Sequence, residues 1–287
     1  MSDIPDFSGN ACAAFSPEER DKLWWAAKTL ADQRNLIVQI TNALGQSLGG
    51  FAGRAARLGA RVFGDGWRGA VGRITEDALW RAHDFAIVGL DRDTAQAPRS
   101  RVNKALTSAS GAIAGFVGAP GILVDVPVTT LMIMRSIAEI GRSYGEDIAS
   151  DAGKRACLEV MAFGGPDTGD EEVEIGYWST RAAMSHVTLQ LLVRQVAGRF
   201  GVVLSEKFLA QAVPIAGAVA GGSLNYLFMD FYQQMARVHF TIRQIERAHG
   251  SDSGVRACLD ALVRQARTRK SVGARPAASV LALSGRG

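Results

Sequence analysis

The sequence predicts an all-α protein, a single helical domain of about eight to ten helices, on three observations. Helix start signals recur along the chain, whereas no strand-like alternation of apolar and polar residues extends beyond a few positions. Three long stretches, residues 35–53, 105–124 and 208–229, contain no charged side chain. Glycine is frequent, at 32 of 287 residues. These patterns together predict glycine-rich, tightly packed apolar helices.

The first helix has the clearest start. Ser16 offers a capping hydroxyl, Pro17 stands at the first helical position and Glu19 at the third, so a helix should run towards Leu44. Further helices are predicted at 46–63, 67–90, 100–118, 123–146, 151–162, 179–199, 205–220, 222–248 and 253–269. The domain organisation expected from this is a flexible N-terminus (1–15), a helical domain (16–250), and a weak helix with a basic, partly disordered tail (251–287).

Glycines recur at four-residue intervals inside the uncharged stretches. Because each glycine in a helix costs about 1 kcal/mol relative to alanine, such a series indicates close contact between helix backbones. The positions are Gly45, Gly49, Gly53, Gly111, Gly115, Gly217 and Gly221. The stretches also reach the length of a membrane span, but 105–124 holds only seven Leu, Ile, Val or Phe residues and 208–229 only eight. Burial in a helical core, with shallow membrane contact, is therefore predicted.

Charge is distributed unevenly along the chain. Six basic and no acidic residues follow Asp260, so the tail carries a charge of +6. Because the whole chain has a net charge of +4, the remaining residues carry 4 − 6 = −2. A mild net charge gives no indication of nucleic-acid binding. The tail is either a solvated terminus without a partner or a contact for anionic lipid or another polyanion. Two basic sets are candidate membrane or anion contacts: Arg54, Arg57 and Arg61 beside an apolar helix seam, and Arg264, Arg267, Arg269 and Lys270 in the tail.

The three cysteines, Cys12, Cys157 and Cys258, are far apart and form no CxxC pair. An odd, dispersed set predicts reduced thiols in a cytosolic compartment, with neither a disulfide nor a zinc site. No apolar segment near the N-terminus suggests a cleaved signal peptide. The expected location is therefore the cytoplasm, at the inner face of the membrane.

Signatures of catalysis are absent: there is no HExxH, GxSxG or GxxxxGK[ST] motif, and no catalytic residue, metal ligand or cofactor is predicted. Asp125 interrupts an apolar stretch, so it should cap a helix near Pro127 or pair with an arginine such as Arg135. Asp230 and His239 stand nine positions apart, a spacing that places them on different sides of one helix.

Two blocks carry a resemblance to a known family. One runs from Asp125 through Arg135 to Gly145, and the other from Pro214 through Asp230 to His239. Their motif positions are Asp125, Pro127, Thr129, Thr130, Arg135, Gly217, Gly221, Asn225, Asp230 and His239. Over about residues 75–249 the chain resembles the EcsC family of bacterial proteins. The resemblance implies an all-helical domain with a membrane-proximal role, and it assigns no role to individual residues.

Three functions follow as hypotheses. The first is a non-enzymatic helical protein that associates peripherally with the cytoplasmic membrane or with a membrane protein. The second is a carrier for a lipid or another hydrophobic ligand. The third is a hydrolase, such as a peptidase, with a site assembled by the fold from Asp125, His186, Asp230 or His239. The oligomeric state is left open.

Overall fold

The computed structural model describes residues 7, 10–48, 67–90, 97–117, 119–163, 173–185, 187–198, 216–250 and 254–273. Within these ranges the regular structure is a short 3-10 turn (Asn10–Cys12) and nine α-helices, without any strand. The helices are α1 (Pro17–Leu48), α2 (Trp67–Ala86), α3 (Ser100–Val117), α4 (Ala119–Ser143), α5 (Asp151–Ala162), α6 (Val173–Ser185), α7 (189–198), α8 (Ala216–His249) and α9 (Val255–Gly273). The predicted all-α class is confirmed.

Helix α1 begins where the capping residues place it. The Ser16 backbone N–H donates to Glu19 Oε2 at 2.8 Å, and the Glu19 N–H donates to Ser16 Oγ at 3.3 Å. These reciprocal bonds satisfy two of the helix's free N-terminal groups. The bond from Ser16, together with His249, lowers the pKa of Glu19 to about 2. The helix continues to Leu48, past the predicted break after Leu44; most of the predicted helix 46–63 lies outside the described residues.

Helix α8 is the central element, packing against α1, α3, α4 and α5. The predicted break between 220 and 222 is wrong, since α8 runs unbroken from Ala216 to His249. A Cβ at Gly222 would lie 3.3 Å from the Ser108 carbonyl oxygen and 3.4 Å from Ala112 Cβ of α3. Glycine at this point serves close helix packing rather than a break, which is the purpose predicted for its neighbours Gly217 and Gly221.

The predicted helix 179–199 is two helices, α6 and α7. Thr188 starts the second, because its Oγ1 accepts the Leu191 N–H at 3.3 Å. Arg155 donates to the carbonyl oxygens of Met184 and Val187, at 2.9 Å each. The arginine thus satisfies backbone acceptors that a continuous helix would have used internally.

Helix α4 also contributes an extensive buried face, and its side chains Ile133, Met134 and Ile137 are fully buried. The helix ends in a Schellman motif, in which the Glu146 N–H donates to the Gly141 carbonyl at 3.1 Å. Gly145 takes the left-handed conformation that this motif requires, with φ of 79°. The chain is thereby turned directly into the loop before α5.

The expectation of three reduced thiols is wrong. Cys12 and Cys258 form a disulfide across 246 residues of sequence, with their Cα atoms 4.8 Å apart, and only Cys157 is a free, buried thiol. The sequence does not predict the Cys12–Cys258 bond, because the two cysteines are brought together by packing of the N-terminal 3-10 turn on α9. The predicted cytoplasmic location loses this support and stays a prediction.

Candidate functional site

Asp125 is the centre of a buried polar cluster that joins α3, α4 and α8. Its Oδ1 accepts hydrogen bonds from Ser110 Oγ at 3.1 Å, Thr129 Oγ1 at 3.2 Å and Asn225 Nδ2 at 3.3 Å. Asn225 also donates to the Thr107 carbonyl at 2.8 Å. The aspartate, only 3% exposed, is thus held by neutral donors from three helices.

The capping role predicted for Asp125 is wrong, and Arg135, the arginine named as its partner, binds elsewhere. Asp125 lies inside α4, which begins at Ala119 and continues through Pro127, so it does not cap that helix. Arg135 pairs instead with Glu139, at 3.3 Å from its Nε to Oε1, and donates to the carbonyl oxygens of Ala86 and Val88. The arginine therefore fixes the end of α2 against α4.

His239 belongs to a second buried cluster, between α5, α6 and α8. Its Nδ1 lies 3.1 Å from the Tyr177 hydroxyl, and its Nε2 lies 3.4 Å from Glu159 Oε2. Burial lowers the pKa of His239, so the imidazole is neutral at pH 7. A neutral ring that accepts from Tyr177 at Nδ1 carries its proton on Nε2, the nitrogen nearer to Glu159.

Glu159 keeps its charge within this cluster. Burial opposes its ionisation, but the adjacent His239 ring and the charge of Arg243 outweigh burial and lower the pKa of the carboxyl. Arg243 also donates to Glu146, with 2.8 Å between Nε and Oε1, and Arg247 pairs with the same carboxylate. The acids and arginines balance one another, as an interior of low dielectric requires.

The residues proposed for a hydrolase site do not come together. Asp125 binds Ser110, Thr129 and Asn225, Asp230 binds Lys104 and Gln234, and His239 binds Tyr177 and Glu159. His186 lies outside the described residues. Within the described ranges, no three His, Cys, Asp or Glu side chains are grouped to hold a metal ion.

The remaining motif positions serve the helices themselves. Thr130 Oγ1 donates to the Val126 carbonyl at 2.7 Å, one turn earlier in α4. Pro127 lies within the same helix, and Gly217 and Gly221 lie in α8.

The predicted basic contacts are only partly described. Arg54, Arg57 and Arg61 lie outside the described residues. Arg264, Arg267, Arg269 and Lys270 stand on α9, a helix whose buried face includes Cys258, Leu259 and Val263. Arg269 packs over Trp24, with its Cζ 5.4 Å from the ring centroid. The predicted helix 253–269 thus extends to Gly273, and residues 274–287 lie beyond the described part of the chain.

One face of α3 is apolar and exposed to solvent. Val102, Leu106 and Ile113 are 53%, 55% and 67% exposed, and Ala105 and Ala109 beside them are exposed as well. Spacings of three and four residues bring these five side chains to one side of the helix. This set is called the apolar face of α3, and it extends for roughly 16 Å along the axis.

The opposite side of α3 is buried and polar. Asn103 Nδ2 donates to Glu139 Oε2 at 3.0 Å, and Thr107 Oγ1 donates to the Asn103 carbonyl at 2.7 Å. The helix therefore has the reverse of the usual distribution, with polar groups inside and apolar side chains outside. The sequence contains the uncharged stretch 105–124, but the lack of charge does not indicate which face of the helix is exposed. The exposed face is the strongest candidate site in the described part of the chain.

None of the described helices is both long enough and apolar enough to cross a bilayer. The fold and its surface thus define an all-helical protein with a charge-balanced interior and one helix that exposes an apolar face. The chain belongs to the EcsC protein family, whose model matches residues 75–245, more than half of its length. No curated protein and no solved structure matches the chain.

Proposed function

We propose that this protein associates peripherally with an anionic membrane surface, and that the apolar face of α3 is the part that enters the membrane interface. The observation that carries the proposal is the exposure of Val102, Leu106 and Ile113 along one side of a single helix. Exposed apolar side chains that are scattered singly are ordinary, whereas a continuous row marks a surface that something covers.

The size of the apolar face suits shallow insertion. Full burial of a Val, Leu or Ile side chain contributes about 1.5–3 kcal/mol, and the protein already covers between about a third and a half of each of these three. Their transfer from water would contribute about 1 kcal/mol each, which favours reversible binding. The helix would lie in the plane of the interface, as amphipathic helices on membranes do.

Charge favours a lipid surface of negative sign. From Ser100 to Val117, α3 contains no acidic residue, and Arg99 and Arg101 stand exposed at its N-terminal end. Basic side chains next to an anionic bilayer contribute about 1 kcal/mol each. The basic residues of α9 and those at positions 54, 57 and 61 are further candidate contacts, and they stay predictions.

Substitution on the apolar face tests the proposal. The double variant Leu106→Asp/Ile113→Asp should lose most of its binding to phosphatidylglycerol-containing vesicles, by about tenfold or more, because two charges would have to enter the interface. Co-sedimentation with vesicles measures this. Both positions are exposed, so the folded state should keep its thermal midpoint.

Val88 provides a matched control, since it is 65% exposed and lies in the turn that follows α2. Val88→Asp should leave vesicle binding unchanged. A complementary measurement attaches an environment-sensitive fluorophore to Ile113→Cys or Val88→Cys, and only the first should become brighter with vesicles. Equal responses from both positions, or full binding by the double variant, would contradict the proposal.

No described contact specifically favours a carrier for hydrophobic ligands or a hydrolase, and both stay predictions.

A further inference from the structure

A groove of about 500 Å³ opens at the N-terminal end of α3. The end of α4, with Ile140 and Tyr144, forms one wall. Arg99, Arg101 and Arg237 also line it, and none of the described residues that line it is acidic. The groove thus combines three guanidinium groups with the start of an 18-residue helix, whose dipole adds positive potential.

Two of the three guanidinium groups are available to a ligand. Arg237 Nη2 donates to Ser100 Oγ at 3.0 Å, which positions this arginine against the start of α3. The guanidinium groups of Arg99 and Arg101 form no hydrogen bond or ion pair within the described part of the chain, and both residues are exposed. They are free to form the forked hydrogen bonds that guanidinium makes to phosphate oxygens.

Glu139, an acid that contacts the lining residue Arg99, is already balanced. Glu139 Oε2 accepts the Arg99 backbone N–H and the Asn103 side-chain amide, each at 3.0 Å, and its Oε1 lies 3.3 Å from Arg135 Nε. Because the charge of Glu139 is matched by Arg135, it does not cancel the positive charge of Arg99, Arg101 and Arg237. The groove is therefore suited to an anion.

We infer that this groove binds the phosphate group of an anionic phospholipid. The inference rests on the proposed membrane association and names the chemical group that the membrane presents. Val102 belongs both to the groove and to the apolar face of α3. A phosphate between Arg99 and Arg101 would therefore place the lipid's acyl chains alongside Leu106 and Ile113. One helix contacts both the headgroup and the hydrocarbon.

The test compares two charge-matched double variants of the full chain. Arg99→Gln/Arg101→Gln removes the free groove arginines, whereas Arg73→Gln/Arg81→Gln removes two exposed arginines of α2. Both have the same net charge, and circular dichroism melts verify that both are folded. Their affinities for phosphatidylglycerol–phosphatidylcholine vesicles and for pure phosphatidylcholine vesicles are measured by co-sedimentation.

The groove variant should bind the anionic vesicles about tenfold more weakly than the wild type, and the α2 variant less than about twofold more weakly. Binding to phosphatidylcholine alone should be similar for all three proteins. An equal loss in both variants would overturn the inference, because net charge would then explain it. The groove variant could still bind anionic vesicles while Leu106→Asp/Ile113→Asp does not. That result would overturn the inferred phosphate site and leave the proposed membrane association standing.

Titration with water-soluble ligands tests the groove apart from any bilayer. The wild type should bind short-chain phosphatidylglycerol below its micelle concentration at least about tenfold more tightly than inorganic phosphate, and the groove variant should bind neither. This result would support the groove even if intact vesicles were not bound, in which case only the proposed function would fail. If inorganic phosphate were bound as tightly as the lipid, the inference that the phosphate belongs to a phospholipid would be overturned.

Discussion

Gly141 marks a close contact between α4 and α8. A Cβ added there would lie 2.8 Å from Phe240 Cζ and 3.0 Å from Cε2, and the Phe240 ring is itself fully buried. A close-packed interior leaves such a ring little room to move. Gly141→Ala should therefore destabilise the protein by about 1–3 kcal/mol. Urea unfolding followed by circular dichroism measures this as a lower midpoint.

Gly72 supplies the control for that substitution. It lies in α2, and a Cβ there would have nothing within 4 Å. Gly72→Ala should stabilise the protein by up to about 1 kcal/mol, since alanine is the better helix former. A destabilised Gly72→Ala, or a Gly141→Ala with unchanged stability, would refute this account of the two glycines.

Single residues were predicted well where their partners are near in sequence. The capping pair Ser16 and Glu19 is three positions apart, and both predicted bonds form. Asp125 was misplaced because its partners Ser110 and Asn225 come from other helices, 15 and 100 positions away. Local spacing carries no information about a carboxylate that three helices enclose.

At the scale of elements, the Cys12–Cys258 disulfide joins the N-terminal turn to α9. Reduction, or Cys12→Ser, should lower the free energy of unfolding by about 2–5 kcal/mol, because the unfolded chain regains the freedom that the cross-link removes. Thermal melts with and without reductant measure the change. Reductant should lower the wild-type midpoint and leave that of Cys12→Ser unchanged.

Thiol alkylation of the native protein provides the control for this experiment. Burial raises the pKa of the Cys157 thiol to about 12, so it stays protonated and unreactive while the protein is folded. Mass spectrometry should detect label on Cys12 and Cys258 only after reduction. Label on these two cysteines without any reductant would rule out the disulfide.

Helices with a continuous periodic pattern were predicted close to their true ends, and the errors lie at glycines and polar residues. α8 crosses Gly221–Gly222 because the second glycine contacts α3, a reason that only the packed structure contains. The division of α6 from α7 depends on Arg155, which comes from α5 and satisfies the exposed carbonyls. Both errors reflect tertiary contacts that override local signals.

For the whole molecule, the buried histidines predict how stability depends on pH. Burial lowers the pKa of His239 and of His83, so the unfolded chain, with its usual value of 6.5, binds protons more readily than the folded one. Stability should therefore be complete above about pH 7 and fall as pH drops below 6.5, by at most about 1.4 kcal/mol per pH unit for each histidine. Urea unfolding between pH 5 and pH 8 measures this.

His239→Gln tests the assignment, because glutamine keeps a donor and an acceptor for Glu159 and Tyr177 but does not titrate in this range. The variant should show a shallower fall between pH 7 and pH 5 than the wild type. Identical slopes would mean that His239 does not contribute. Below pH 4.5 both proteins should lose further stability, since Glu146 and Glu159 also have lowered pKa values.

The candidate surface was predicted only in outline. The uncharged stretch 105–124 indicated an apolar helix with shallow membrane contact, but the exposed face was settled by which side of α3 meets α8. Asn103 and Thr107 bond inside, which leaves Leu106 and Ile113 outside. The hydrophobic pattern alone predicts the opposite orientation, with the apolar side chains of α3 buried and its polar side chains exposed.

The disulfide also determines the covalent connectivity of the chain. Cys12 and Cys258 are separated by 246 positions, and the family region 75–245 lies wholly within the ring that their bond closes. A protease that cuts any one loop inside this ring opens it without releasing a fragment. The bundle's two halves then remain tethered and close enough to pack again, so a single nick does not separate them while the cross-link is oxidised.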